Sequence, residues 1–260
     1  MLAHVLYPVF RRVDFRGKGR LRERLRVPQE GRPVVGFPAG VRLRLDLHES
    51  LQRDFYFGLC DQYELQLVAE TLRNGGDFVD VGAHIGLYAV RAARELGDRG
   101  RVLAFEPNPS ARAQLEENVA LNGRQNVIVV AAAAAATVGR ATLHVPATAD
   151  PSFSSLEGGR FDEGAPVEIE TETIDTAVAG HALRPSVIKI DVEGGELDVL
   201  RGAEQTIDEF RPAVLVEVSV RTAPAVERML AKHRGRRVAR RRLEPLATGR
   251  GLFNAWFVPM

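Results

Sequence analysis

Two hydrophobic periods alternate along this chain. Short apolar runs predict strands at Phe78–Val81, Val102–Phe105, Asn126–Val130, Val187–Asp191 and Ala213–Val218. Between and after them, apolar residues at helical spacing predict helices over Ile85–Leu96, Ser110–Leu121, Glu196–Phe210 and Thr222–Lys232, the second stopped by Asn122-Gly123. Strands that alternate with helices argue for an α/β fold, a largely parallel sheet covered by helices on both faces. Val238–Leu243 and Leu252–Val258 are expected to close that sheet as an antiparallel edge pair, seven strands in all. Residues 141–145 and 167–173 also read as strands, around a flexible Ser/Gly-bearing loop at 150–165.

Upstream the pattern changes. Val34 to Leu47 alternates, with Val41, Leu43, Leu45 and Leu47 on one face and Phe37-Pro38-Ala39-Gly40 as a turn, so a β-hairpin is expected. Tyr63 to Leu72 has helical spacing and stops at Asn74-Gly75-Gly76. The run Ala131–Ala136 is low in complexity, and its small side chains permit close packing or backbone approach. Residues 1–60 thus read as a basic N-terminal extension carrying a hairpin, and residues 61–260 as the α/β domain.

Composition narrows the class without naming it. The 260 residues are 45% hydrophobic and 27% charged, enough to bury one full core. A single cysteine, Cys60, excludes an intrachain disulfide framework and is expected to be a buried, inert thiol. No apolar run is long enough to span a bilayer, and the apolar start Leu2–Phe10 has its positive charges behind it, the wrong order for a secretory signal. A cytoplasmic location is therefore expected.

The net charge of +1 hides two basic ends. Residues 1–30 hold eight Arg or Lys against three acids, and residues 232–242 hold seven against none. Such ends suit solvated surface, or contact with an anionic membrane or another anionic partner. Few aromatics interleave them, which disfavours nucleic acid as a partner.

The densest chemistry lies in Phe78-Val79-Asp80-Val81-Gly82-Ala83-His84-Ile85-Gly86, with Phe105-Glu106-Pro107 following. A strand ending in a Gly-rich turn, then a second strand ending on a carboxylate, suits a nucleoside-bearing cofactor on a doubly wound sheet. The glycines are read as letting the backbone approach the ligand, and Glu106 as accepting hydrogen bonds from a ribose diol. A dinucleotide fingerprint needs glycine where His84 and Leu87 stand, so that pattern fails. The acidic-x-Gly-x-x-x-Gly of Asp80, Gly82 and Gly86 resembles instead the first motif of class I S-adenosylmethionine-dependent methyltransferases.

A second constellation is Ile188-Lys189-Ile190-Asp191-Val192-Glu193-Gly194-Gly195-Glu196, where Asp191 stands at the expected end of the fourth parallel strand. Asp80, Glu106 and Asp191 are thereby predicted on one rim, where ligands bind in open α/β sheets. Glu193 and Glu196 suit the start of the next helix, where acids complement the dipole. Both constellations, with Leu200-Arg201-Gly202 and the upstream Tyr63-Glu64, make residues 60–220 similar to the FkbM-type methyltransferase family. His84 departs from the Asn common there.

The resemblance implies a Rossmann-like class I methyltransferase with S-adenosyl-L-methionine as cofactor. It implies O-methylation of a hydroxyl on a small-molecule, sugar, glycan or natural-product acceptor. Cofactor contacts are then expected from Asp80, Gly82, Ala83, His84, Gly86, Glu106, Pro107, Asp191 and Glu64. Asp191 is the first candidate base, His84 the second and Glu217 the third. The alternatives are a nucleic-acid methyltransferase and a catalytically silent α/β binding module with basic ends. The six histidines show no i, i+4 pair, and neither a Gly-x-Ser-x-Gly elbow nor a phosphate-binding Gly-x-x-x-x-Gly-Lys-Ser/Thr loop is present, so no metal site is assigned.

Overall fold

A computed structural model describes residues 30–59, 62–145, 165–192, 194–233, 235–242 and 252–259. The hairpin comes first, as β1 (Val34–Gly36) and β2 (Arg42–Arg44), with Val35 opposite Leu43. Two helices follow, α1 (Ser50–Tyr56) and α2 (Gln62–Leu72). The alternating unit is β3 (Asp77–Val81), α3 (Leu87–Leu96), β4 (Val102–Phe105), α4 (Pro109–Leu121) and β5 (Val127–Val130). Next come β6 (Ala132–Ala134), β7 (Gly139–Val145), β8 (Ala165–Glu172) and α5 (Ile174–Gly180). The chain continues through β9 (Pro185–Ile190), α6 (Glu196–Arg201), α7 (Glu204–Phe210), β10 (Ala213–Ser219), α8 (Ala223–Lys232), β11 (Gly235–Arg242) and β12 (Leu252–Pro259).

The main sheet has seven strands in the order β11-β12-β10-β9-β3-β4-β5. From β10 to β5 all pairings are parallel, while β12 runs antiparallel to both β10 and β11. Strand order reverses between β3 and β9, the topological switch at which such sheets bind ligands. Successive strand residues point to opposite faces. Phe78, Ala104, Val187 and Leu215 pack with Leu65, Val68, Leu72 and Ala89 of α2 and α3. Val79, Leu103, Ile188 and Val214 pack with Ile174, Val199, Ile207 and Val226 of α5 to α8. Both faces are therefore covered, which is why these strands read as continuous apolar runs.

The strands expected at 141–145 and 167–173 are present as β7 and β8, and with β6 from the alanine run they form a separate three-stranded sheet, β6-β8-β7. Helix α1 was not predicted. The single helix expected over Glu196–Phe210 is two, broken at Gly202-Ala203. The break has local causes: the Gly202 carbonyl accepts a hydrogen bond from Asp175 N (2.9 Å), and the Asp175 carboxylate accepts from Thr206 N (2.7 Å) and Gln205 N (3.1 Å), starting α7 afresh. A Cβ on Gly202 would lie 2.0 Å from the Ala135 carbonyl oxygen, so the alanine run is a site of close backbone approach. Cys60, Glu193, residues 1–29 and the loop 150–164 lie outside the described residues.

The hairpin docks through amides rather than apolar contact alone. Gln114, Asn118 and Asn122 recur every four residues along α4 and its C-cap, one stripe of the helix. Asn118 Oδ1 accepts from Arg44 N at 2.7 Å, and its Nδ2 donates to Ile85 O at 2.8 Å. Asn122 accepts from Arg42 N (2.9 Å) and donates to Arg42 O (2.6 Å), while Gln114 Nε2 donates to Arg44 O (2.9 Å). Asn118 is fully buried, so replacing it strands backbone groups that have no water to turn to. Asn118→Leu is expected to lower the unfolding free energy by about 1–3 kcal/mol, read by urea denaturation. An unchanged midpoint and slope would show that β2 does not rely on this amide.

Candidate active site

Register builds the site. Val81 is level with Phe105 and Ile190, Phe105 with Val130, and Ile190 with Val216. The next residue on each strand is therefore Gly82, Glu106, Asp191, Ala131 and Glu217. Two of the three expected carboxylates, Glu106 and Asp191, share this carboxyl rim, with Glu217 level with them. Asp80 does not reach it. It sits one residue below Val81, paired with Ala104 and Lys189, and is fully buried.

The glycine loop is shaped by its own chain. Gly82 has φ 72°, and a Cβ there would lie 1.9 Å from the Asp191 carbonyl oxygen. Gly86 has φ 89°, and a Cβ would lie 2.5 Å from Leu115 Cδ1 of α4. Both contacts are with protein, so the fold itself holds these two positions to glycine. His84 also takes a left-handed φ of 49°, a region in which Asn, Asp and His are enriched among non-glycine residues.

Glu106 ties two loops together. Its Oε2 accepts from His84 N at 2.7 Å and its Oε1 from Asn108 N at 2.9 Å. Asn108 in turn caps α4, accepting from Ser110 N at 2.9 Å. A carboxylate has about four acceptor positions, so each Glu106 oxygen keeps capacity for a further donor. Burial pushes the Glu106 carboxyl above the usual range, against the opposing pull of the His84 side chain and the two amides. Pro107, between Glu106 and Asn108, is partly buried.

Below the rim, burial likewise raises Asp80, only partly offset by Lys189, whose Nζ lies 3.3 Å from Asp80 Oδ1. Neither Asp80 oxygen has a well-formed hydrogen bond. Glu64, in the first turn of α2, is buried with its Oε1 unpartnered. Asp191 is more open, its side chain 42% exposed. Glu196, in the first turn of α6, folds back to accept from Gly194 N at 2.8 Å.

Sequence reasoning missed Glu49, which precedes α1. Its Oε2 lies 3.6 Å from His84 Nε2 and accepts from Gln52 Nε2, and Gln52 is itself bonded to Gln114. The hairpin segment thus reaches the glycine loop. No local motif marks Glu49.

Comparison with known proteins agrees with this geometry. The family profile described as Methyltransferase FkbM domain matches residues 80–238. The hexuronic acid methyltransferase AglP of Haloferax volcanii is 29% identical over 167 residues, 63% of this chain and 64% of that protein. The 2-O-methyltransferase NoeI of Sinorhizobium fredii is 27% identical over 150 residues, 51% of this chain and 59% of that protein. The chain thus spans less than two thirds of the curated relatives it matches. The crystal structure of methyltransferase FkbM from Methylobacillus flagellatus has a TM-score of 0.51 and 20% identity, covering 79% of this chain and 52% of that one, a likeness of fold.

The buried acids carry a pH signature. An acid whose folded pKa is raised holds its proton longer in the folded state, so its contribution is fully present below the unfolded pKa and is lost as pH rises through the folded one. Stability is therefore expected to fall with rising pH above about pH 4 on account of Glu106. Glu106→Gln is expected to flatten that fall, whatever its constant offset. Urea unfolding of both proteins from acid to neutral pH reads the difference, and parallel profiles would remove Glu106 as its source.

Proposed function

The chain belongs to the FkbM methyltransferase family, and on that premise we propose that it transfers a methyl group from S-adenosylmethionine to a hydroxyl of a sugar, glycan or natural product. The observation that carries this reading is Glu106. It stands at the end of β4, held by two backbone amides and still able to accept, as recognition of a ribose diol requires.

The residues fit such a cofactor. The buried, unpartnered Oε1 of Glu64 is costly without a donor or cation, and an ammonium or sulfonium supplies one. Glu106 would hold the ribose hydroxyls. Gly82, Ala83, His84 and Gly86 would wrap the cofactor from the β3 side, and Pro107 from the β4 side. Glu64 and Asp191 would face its cationic portion, with Asp80 beneath them beside Lys189. When bound, the cofactor supplies an electrophilic methyl carbon on a positively charged sulfur.

The chain's own work is positioning and one proton. A hydroxyl that gains a methyl loses its hydrogen, and a nearby base assists. Asp191 is the best placed: it stands at the rim with an open carboxylate, whereas Asp80 is sealed beneath it. Its Oδ would accept the hydroxyl proton. His84, beside Glu49, is the second candidate, and Glu217, next to Asp191 across the β9–β10 ladder, the third. One relative is named for hexuronic acid and another for 2-O-methylation, which supports a sugar hydroxyl as acceptor. Among the described residues no helix is long and apolar enough to cross a membrane. The basic residues 1–29, the expected surface for an anionic membrane, lie outside the described residues.

Two outcomes are expected. Glu106→Ala should weaken S-adenosylmethionine binding by about 1.5–3 kcal/mol in calorimetry, and unchanged affinity in a folded variant sinks the ribose assignment. Asp191→Asn should lower saturated turnover about a hundred- to ten-thousand-fold, with a much smaller change in cofactor affinity. Labelled cofactor and a panel of glycans, polyketides and lipids identify the acceptor for that assay. Intact turnover would strike Asp191 from the reaction.

A further inference from the structure

Lys189 is a buried cation to which the reaction above gives no part. It is level with Asp80 in the β3–β9 ladder and two residues before Asp191, so all three side chains share the face covered by α2 and α3. Its Nζ lies 3.3 Å from Asp80 Oδ1 and 3.5 Å from Asp191 Oδ2. It donates to the Gly82 carbonyl at 2.8 Å, lies 3.4 Å from the Val81 carbonyl, and stands 5.2 Å from the centroid of the Tyr88 ring.

A counter-ion for Asp80 alone would not need this arrangement. The shortest contact is with the neutral carbonyl of the glycine whose left-handed φ opens the cofactor loop. An ammonium has three hydrogens on a compact centre. Here the centre donates to the Gly82 and Val81 carbonyls and forms ion pairs with the buried acid and the rim acid. The Gly82 carbonyl precedes Ala83, whose amide bonds to Phe105 O at 3.0 Å, and His84, whose amide bonds to Glu106. A shift at that carbonyl therefore moves the donor that orients the proposed ribose-binding carboxylate.

Resting on the cofactor reading above, we propose that Lys189 is a positioning residue that fixes the Gly82–Gly86 loop and the Asp191 carboxylate in one frame for cofactor binding. The rival is that it only neutralises Asp80. Lys189→Met keeps an unbranched chain of similar length, and Asp80→Asn removes the charge to be neutralised. The informative comparison is Asp80→Asn against the Asp80→Asn/Lys189→Met double variant.

Two measurements are made on both proteins and the parent: hydrogen exchange of the ligand-free protein by mass spectrometry, and calorimetric binding of S-adenosylmethionine. The double variant is expected to exchange faster than Asp80→Asn in peptides covering 81–86, with strands 102–105 unchanged. It is also expected to bind the cofactor about tenfold more weakly, the loss of a charge-assisted hydrogen bond. Equal exchange in the two variants overturns the assignment, and so does faster loop exchange with equal affinity. If Asp80→Asn binds too weakly to measure, the parent and Lys189→Met are compared for affinity, and equal values overturn it. A parent that binds no S-adenosylmethionine overturns the cofactor reading instead, while the exchange comparison still reports whether Lys189 holds the loop.

Discussion

The Asp191 carbonyl occupies the space into which any side chain on residue 82 would project. That contact joins the end of β9 to the turn after β3, across the switch in strand order. Much of the site follows from it. With residue 82 confined to glycine and to left-handed φ, the chain turns so that Gly82 N and Ala83 N both bond to the Phe105 carbonyl. The next amide, His84 N, then meets Glu106, and Gly86 brings α3 tight against Leu115 of α4. A backbone contact with no chemistry of its own thus sets where the chemical groups stand.

Electrostatics pulls against that packing. The site gathers Asp80, Glu106 and Asp191 around one lysine, and burial disfavours the charged form of the first two. A fold selected for stability alone would replace such acids with apolar residues, since buried charge rarely repays its desolvation. On the proposed reading, a positively charged cofactor would relieve that cost on arrival, so part of its affinity would come from unfavourable energy already in the free protein.

Much of this was legible in the sequence because strands and turns leave local marks. The core strands of the main sheet are largely apolar runs, both faces being covered, and the residue after the run is the proposed site residue at Gly82, Glu106 and Asp191. What escaped is held by distant partners. Ser50–Tyr56 carries Gln52 and Asp54 on its buried side, so it lacks an apolar helical stripe. The break at Gly202 depends on Asp175, about thirty residues upstream, and β6 on pairing with β8. The four-residue spacing of Gln114, Asn118 and Asn122 was visible, but polar residues on a helix ordinarily face water, and nothing local says that a hairpin covers them. Asp80 was expected at the rim, and only the register shows it one residue short.

Strand β12 follows β11 in sequence yet lies between β10 and β11. The Ala213–Ser219 edge therefore stays open until Leu252–Pro259 pairs with it, and β11 cannot join the sheet before β12 does. Open, apolar strand edges pair readily with other chains. A molecule in which β12 has not yet docked therefore carries an aggregation-prone edge, whatever the stability of the finished fold.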